Sequence, residues 1–204
     1  MADAEFSFEH FYRRAALGEV QLPWDRGGPH PLLEEWASEL RGQGRRALVV
    51  GSGPGSDAEL LAARGFAVTA FDLAPTAVAT ARERFPASRV DYRVEDVLHP
   101  PAEWRSAFDL VLESLTVQSL PPAEHARATA NVAAFVAPGG TLLVIASVRD
   151  PPDAEPDGPP WPLTRAEVEA FAIGELELVS VEERRDPGVW PRWRAVLRDV
   201  RSPG

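Results

Sequence analysis

The chain has 204 residues, 45% of them hydrophobic, which suits one folded domain with a sizeable core. It carries 31 acidic and 21 basic residues, a formal net charge of −10, and this negative field disfavours nucleic acid as a partner. The absence of cysteine excludes disulfides and thiolate metal sites, and no apolar run has the length of a membrane span or of a secretory signal. We therefore expect a cytoplasmic protein that binds no nucleic acid, membrane or metal. All the basic residues are arginine, which we interpret as the codon bias of a GC-rich bacterial genome.

Residues 1–42 predict an N-terminal helical cap. The segment 5–17 places aromatic side chains, Tyr12 among them, on one face of a short helix. Trp24 follows in a stretch rich in proline and glycine, which excludes regular helix or strand there. A second helix is expected from Pro31 to Gly42, because proline favours the first helical position and glycine ends helices.

From Arg45 onward, short apolar strands alternate with helices. Such alternation predicts βαβ units and a parallel sheet covered on both faces. A C-terminal antiparallel hairpin is expected at 175–186 and 193–200. The predicted fold is a doubly wound, Rossmann-like α/β domain with a mostly parallel seven-stranded sheet. Its first five strands are predicted at 46–51, 66–72, 90–96, 108–114 and 141–148, and its helices at 57–65, 74–85 and from Pro121 to the Pro138-Gly139-Gly140 turn.

A glycine turn follows the first predicted strand. Gly51, Gly53 and Gly55 surround Ser52 there, and their lack of a Cβ permits a sharp turn and a close backbone approach to a ligand. Asp72 ends the second strand, where a carboxylate can accept two hydrogen bonds from a ribose diol. In open α/β sheets, ligands bind at this carboxyl edge. The pattern therefore predicts a nucleotide-type cofactor.

Two cofactor classes use such a turn. The dinucleotide fingerprint requires Gly or Ala where this chain has Ser56, which disfavours an NAD(P)-dependent oxidoreductase without excluding it. The G-x-G-x-G spacing instead resembles class I S-adenosylmethionine-dependent methyltransferases, over roughly residues 20–147. The resemblance implies S-adenosylmethionine as cofactor and S-adenosylhomocysteine as product. It also implies roles for further residues: Leu73 beside Asp72, Asp96 for the adenine amine, Val97 for a backbone contact and Glu113 near the methionine moiety. The alternatives are a helix N-cap or solvated strand end for Asp72, a plain turn acid for Asp96 and a structural or solvated role for Glu113.

The segment around Trp24 reads P-W-D-x-G-x-P-x-P and resembles one in the thiopurine, thiol and halide methyltransferase group. The resemblance implies that Trp24 packs against the cofactor sulfonium; the alternative is that Trp24 fills the core beneath the cap helix. Residues 113–116, Glu-Ser-Leu-Thr, differ from the aspartate-led segment expected in that group. The group's acceptor specificity therefore does not carry over.

Methyl transfer needs alignment and exclusion of water more than a catalytic base, and we expect no catalytic residue. The predicted acceptor is a small molecule, a thiol or other small nucleophile. A cofactor-binding core at 43–147 is followed by the segment 148–204, which contains the loop 149–162 and the C-terminal hairpin. We expect the N-terminal cap and the loop 149–162 to form the acceptor pocket. A non-catalytic S-adenosylmethionine-binding module remains an alternative, and a monomer or homodimer is expected. The candidate acceptor-binding residues are Tyr12, His30, Arg149 and Trp161. The alternatives are a core role for Tyr12, an exposed loop position for His30 and a solvated or loop-anchoring role for Arg149. His125 is expected to be exposed.

Overall fold

A computed structural model describes residues 7–151, 158–185 and 190–202. One seven-stranded sheet has the order β3-β2-β1-β4-β5-β7-β6. Strands β1 to β5 are parallel, and β7 runs antiparallel between β5 and β6, which confirms the predicted fold class. The strands are β1 Arg46–Val50, β2 Ala67–Asp72, β3 Asp91–Val94, β4 Phe108–Ser114, β5 Val136–Ser147, β6 Leu176–Arg184 and β7 Arg192–Asp199.

Helices cover both faces of the sheet. Buried residues of α5 pack on one face, and those of α2 and α3 pack on the other. Among the described residues, no helix has the length and apolarity to cross a membrane. The helices are α1 Phe8–Ala16, α2 Pro31–Trp36, α3 Ser56–Ala63, α4 Pro75–Arg84, α5 Pro122–Ala134 and α6 Arg165–Glu169.

Two boundaries differ from the prediction. Helix α2 ends at Trp36 rather than near Gly42, and Gly42 instead donates its N–H to the carbonyl of Arg64 at 2.7 Å. A Cβ on Gly42 would lie 2.4 Å from the backbone of Gly65, so this glycine serves a close chain crossing. The Pro-Gly-Gly segment 138–140 lies within the long strand β5, at an irregularity in its register with β4.

The strand order places a topological switch point beside β1. The chain passes from β1 outward to β2 and β3, then returns to β4 on the other side of β1. The carboxyl ends of β1, β2 and β4 therefore converge at one edge, where open α/β sheets bind ligands.

Candidate functional site

The glycine turn between β1 and α3 is built so that side chains are excluded. Gly51, Gly53 and Gly55 all have left-handed backbone angles, with φ of 60°, 49° and 91°. A Cβ on Gly51 would lie 2.2 Å from the Thr116 hydroxyl oxygen, and one on Gly55 would lie 2.5 Å from the Tyr92 hydroxyl oxygen. The turn thus requires glycine for both its backbone conformation and its surroundings.

Asp72 connects the end of β2 to this turn. Its Oδ2 accepts a hydrogen bond from the N–H of Gly53 at 2.9 Å, and its Oδ1 accepts one from the N–H of Ala74 at 2.9 Å. Burial raises the pKa of Asp72, while these two N–H donors oppose the rise. An ionised carboxylate has about four acceptor positions, so each oxygen retains capacity for a ribose hydroxyl. Leu73 beside it is 61% exposed and presents an apolar surface at the same edge.

Asp96 lies just beyond β3, and its carboxylate is engaged locally. Its Oδ1 accepts from the N–H of Leu98 at 2.8 Å, and its Oδ2 lies 2.7 Å from His99 Nδ1. The side chain of Val97 is buried in the α5-side core, and its carbonyl accepts from the Asn131 amide at 2.8 Å. These contacts fix the loop on which the adenine contacts are predicted.

Glu113 is almost fully buried near the end of β4, in register with Val50 of β1. Its Oε1 accepts from the N–H groups of Thr116 at 2.8 Å and Val117 at 2.9 Å, whereas its Oε2 is buried without a partner among the described residues. Burial raises the pKa of Glu113 to about 7 against the lowering effect of these donors. The Ser52 hydroxyl in the glycine turn is likewise buried and unpartnered. Buried polar atoms are ordinarily hydrogen-bonded, so two such atoms make this edge a candidate polar ligand site.

The N-terminal cap covers the glycine turn. Trp24 donates from Nε1 to the Tyr12 hydroxyl at 3.0 Å, and its ring lies 5.6 to 6.1 Å from those of Phe8, Tyr12 and Phe11. A Cβ on Gly53 would lie 3.0 Å from the Tyr12 hydroxyl, so that hydroxyl lies directly against the turn. Burial raises the pKa of Tyr12, which keeps the phenol neutral. Tyr12 thus faces the predicted cofactor region, and Trp24 packs with α1 in this cluster.

Two acidic residues attach the cap to α4. The Glu9 carboxylate accepts from the backbone N–H of Thr76 at 3.0 Å and from its hydroxyl at 2.6 Å. Asp25 lies 3.3 Å from Arg84. Glu9 could not be predicted from the sequence, because its partner is 67 residues away and no local motif indicates the contact.

His30 is buried, with 7% exposure, so the expectation of an exposed loop histidine is wrong. Its backbone N–H donates to Asp57 Oδ1 at 2.7 Å, and its Nδ1 accepts from the N–H of Leu32 at 3.2 Å, which caps α2. Its Nε2 is buried without a partner among the described residues. Burial, together with the charges of Arg26 and Arg192, lowers the pKa of His30 to about 4.

Arg149 holds its own loop in place. Its Nε donates to the carbonyl of Pro162 at 2.9 Å, and its Nη2 lies 3.0 Å from Glu167, which also closes the capping box with Thr164. These contacts match the loop-anchoring alternative. His125 lies 3.7 Å from Glu167 and is buried with 6% exposure, so the expectation that it is exposed is wrong.

Trp161 is partly buried, and its backbone N–H donates to the carbonyl of Gln118 at 2.6 Å. Residues 152–157 of the predicted acceptor loop lie outside the described residues. Across the part of the chain that the structure describes, no group of three His, Asp or Glu side chains is placed to hold a metal ion.

Comparison with known proteins agrees with this geometry. Residues 47–140 match the family model described as a methyltransferase domain. The chain is 37% identical over 139 residues to the ubiquinone biosynthesis O-methyltransferase of Xanthomonas axonopodis pv. citri, covering 63% of this chain and 57% of the relative. The chain therefore spans less than two thirds of the length of that curated relative.

Solved structures share the fold at low sequence identity. A protein solved in work on the conversion of a disulfide bond into a thioacetal group during echinomycin biosynthesis superposes with a TM-score of 0.73 and 22% identity, over 96% of this chain and 94% of that one. The 1,6-didemethyltoxoflavin N1-methyltransferase of Burkholderia thailandensis superposes with a TM-score of 0.69 and 18% identity, over 99% and 94%. Residues 47–140 are thus similar to a methyltransferase domain, and the chain shares the fold of these solved structures.

Proposed function

We propose that this protein transfers the methyl group of S-adenosylmethionine to a small-molecule acceptor, with a thiol or another small nucleophile favoured. The main supporting observation is the glycine turn joined to Asp72, beside the unpartnered buried oxygens of Ser52 and Glu113. Together they offer a ribose acceptor and a buried carboxylate at one sheet edge, which fits the polar groups of this cofactor.

The residues at this edge would each contact a different part of the cofactor. Asp72 would hold the ribose diol, and the unpartnered oxygen of Glu113 would hold the α-ammonium of the methionine moiety. The loop carrying Asp96 and Val97 would meet the adenine. When bound, the cofactor supplies an electrophilic methyl group on a sulfonium. The aromatic cap with Trp24 would exclude water from that centre, and a cation over an indole ring gains ~0.5–2 kcal/mol.

The chain need supply no general base for such a reaction. In-line displacement depends on aligning the nucleophile with the methyl carbon and on excluding water. A thiol with a pKa of ~8.5 ionises readily on its own. With its pKa lowered to about 4 and Nδ1 accepting a hydrogen bond, His30 is neutral near pH 7 and carries its proton on Nε2. It therefore acts as a hydrogen-bond donor rather than a base.

Calorimetric titration with S-adenosylmethionine and S-adenosylhomocysteine tests the cofactor assignment. We expect saturable one-to-one binding of both, followed by turnover to the demethylated product with a panel of thiols, phenols and amines. No heat with either ligand would contradict the proposal, and an NADH titration would then test the oxidoreductase alternative. Binding without turnover of any acceptor would favour a non-catalytic binding module.

A further inference from the structure

Two buried nitrogen donors without a partner among the described residues lie on the face of the sheet that α2 covers. Along β7, Trp193 and Ala195 face the α5-side core, so Arg192 and Arg194 face the opposite side. Arg194 lies 3.1 Å from Glu35 of α2, which confirms that this face meets α2. Arg192 stands at the beginning of β7, at the carboxyl edge of the sheet, and so faces the beginning of α2, which His30 caps.

Within the part of the chain that the structure describes, His30 and Arg192 each present a buried N–H without a partner. Nδ1 of His30 accepts from the N–H of Leu32, so the ring proton is on Nε2, which is buried and unpaired among the described residues. The Nε of Arg192 is also buried and unpaired, although its Nη1 donates to the carbonyls of Trp190 and Pro191. A buried donor left unpaired is destabilising, because it has lost its hydrogen bonds to water. Two of them together indicate a ligand that accepts hydrogen bonds.

The electrostatic surroundings are positive. Arg26, on the exposed loop before α2, lies close enough to lower the pKa of both His30 and Arg192 after the larger effect of burial. Asp57 is the acidic group there, and its carboxylate already accepts from the His30 backbone and the Ser114 hydroxyl. The groups around His30 and Arg192 that remain free to bind a ligand are therefore hydrogen-bond donors, and the charge next to them is positive.

The region around His30 and Arg192 is next to the proposed reaction centre. Asp57 lies in the first turn of α3, directly after the glycine turn, and Ser114 ends β4. The following residue, Leu115, has a left-handed φ of 63°, and such strain in a non-glycine residue clusters at functional sites. A ligand held by Arg192 and His30 would lie beside the carboxyl end of β4.

We propose that His30, Arg192 and Arg26 form an oxyanion-binding subsite that holds a carboxylate of the methyl acceptor. Arginine forms paired, charge-assisted hydrogen bonds with carboxylates, and the imidazole N–H adds a directed donor. The role as an acceptor subsite rests on the proposed methyltransferase function. The affinity for a carboxylate does not depend on that function and rests on the donors of His30, Arg192 and Arg26.

Sodium benzoate serves as the test ligand, with benzamide as its neutral counterpart. In NMR spectra of protein labelled at histidine, we expect benzoate to shift the His30 ring signals saturably and benzamide to bind at least tenfold more weakly, since charge-assisted hydrogen bonds are lost. His30→Asn assigns the signals among the four histidines and preserves the N-cap, because asparagine is a favoured capping residue.

Matched arginine variants test which side chains supply the positive charge that binds benzoate. Arg192→Gln and Arg26→Gln should each weaken benzoate at least tenfold, whereas Arg198→Gln, exposed at the other end of β7, should not. If Arg192→Gln lowers stability, the surface variant Arg26→Gln still decides the outcome. Benzoate that leaves His30 unshifted, or binds both variants as tightly as the parent, would overturn the subsite. Because these titrations use protein without cofactor, failure to bind S-adenosylmethionine would count against the proposed function alone.

Discussion

Glu113→Gln is the sharpest test of the buried carboxyl beside the glycine turn. The amide oxygen of glutamine can still accept from the N–H groups of Thr116 and Val117, so the local turn keeps its two hydrogen bonds. The substitution removes the titration of the group while nearly preserving its volume. It therefore isolates the effect of holding a carboxyl in this buried position.

The expected magnitude follows from the shift in the pKa of Glu113 from 4.5 to about 7. Each pKa unit corresponds to ~1.4 kcal/mol, so full ionisation of the buried group costs about 3 kcal/mol of folding free energy. Because the folded pKa is raised, the stabilising contribution of the neutral acid is fully present below pH 4.5 and is lost as the pH rises through about 7. The glutamine variant has no such loss.

Urea unfolding of the parent and of Glu113→Gln at pH 5 and pH 8 measures this difference. The free energy of unfolding of the variant minus that of the parent should increase by about 2–3 kcal/mol from pH 5 to pH 8. Glu177→Gln, at an exposed position on β6, is the matched control and should show almost no change. A relative stability of Glu113→Gln that is constant within about 0.5 kcal/mol would refute the reasoning.

Three further substitutions probe the cofactor edge. Asp72→Asn loses charge-assisted acceptors, so calorimetry should show at least about tenfold weaker S-adenosylhomocysteine binding, whereas the exposed Asp91→Asn should bind as the parent does. Trp24→Phe should weaken S-adenosylmethionine more than S-adenosylhomocysteine, because only the former carries a sulfonium charge; equal losses would assign Trp24 to packing alone. Gly51→Ala should lower the free energy of unfolding by about 1–3 kcal/mol in urea titrations, because its Cβ meets Thr116. Adding Thr116→Ala should restore part of this loss, and no restoration would contradict the steric explanation.

The sequence predicted the sheet well because strands and helices impose different local periods. The strands from Arg46 to Ser147 were recognised as short apolar runs separated by helical segments, and the glycine turn was recognised from its spacing. Helix α6 was missed because it has only five residues and follows a proline-rich segment. Its capping box, from Thr164 to Glu167, is the local signal that could have revealed it.

The acceptor side could not be predicted in the same way, because its contacts join distant parts of the chain. The ion pair of Glu35 with Arg194, which orients β7 against α2, spans 159 residues. Nothing near Arg192 in the sequence distinguishes it from the other arginines. The burial of His30 likewise depends on the docking of its loop onto Asp57, which only the folded sheet edge provides.

Asp57 joins the two halves of the proposed site. It begins α3 directly after the glycine turn, and its carboxylate binds the backbone of His30 and the hydroxyl of Ser114. It also faces Arg26, whose positive charge favours its ionised form against the burial that raises its pKa. The carboxylate of Asp57 thus positions both the loop beside the glycine turn and His30 of the proposed oxyanion-binding subsite. In a chain with a net charge of −10, the positive charge around His30 and Arg192 offers an anionic acceptor a local attraction.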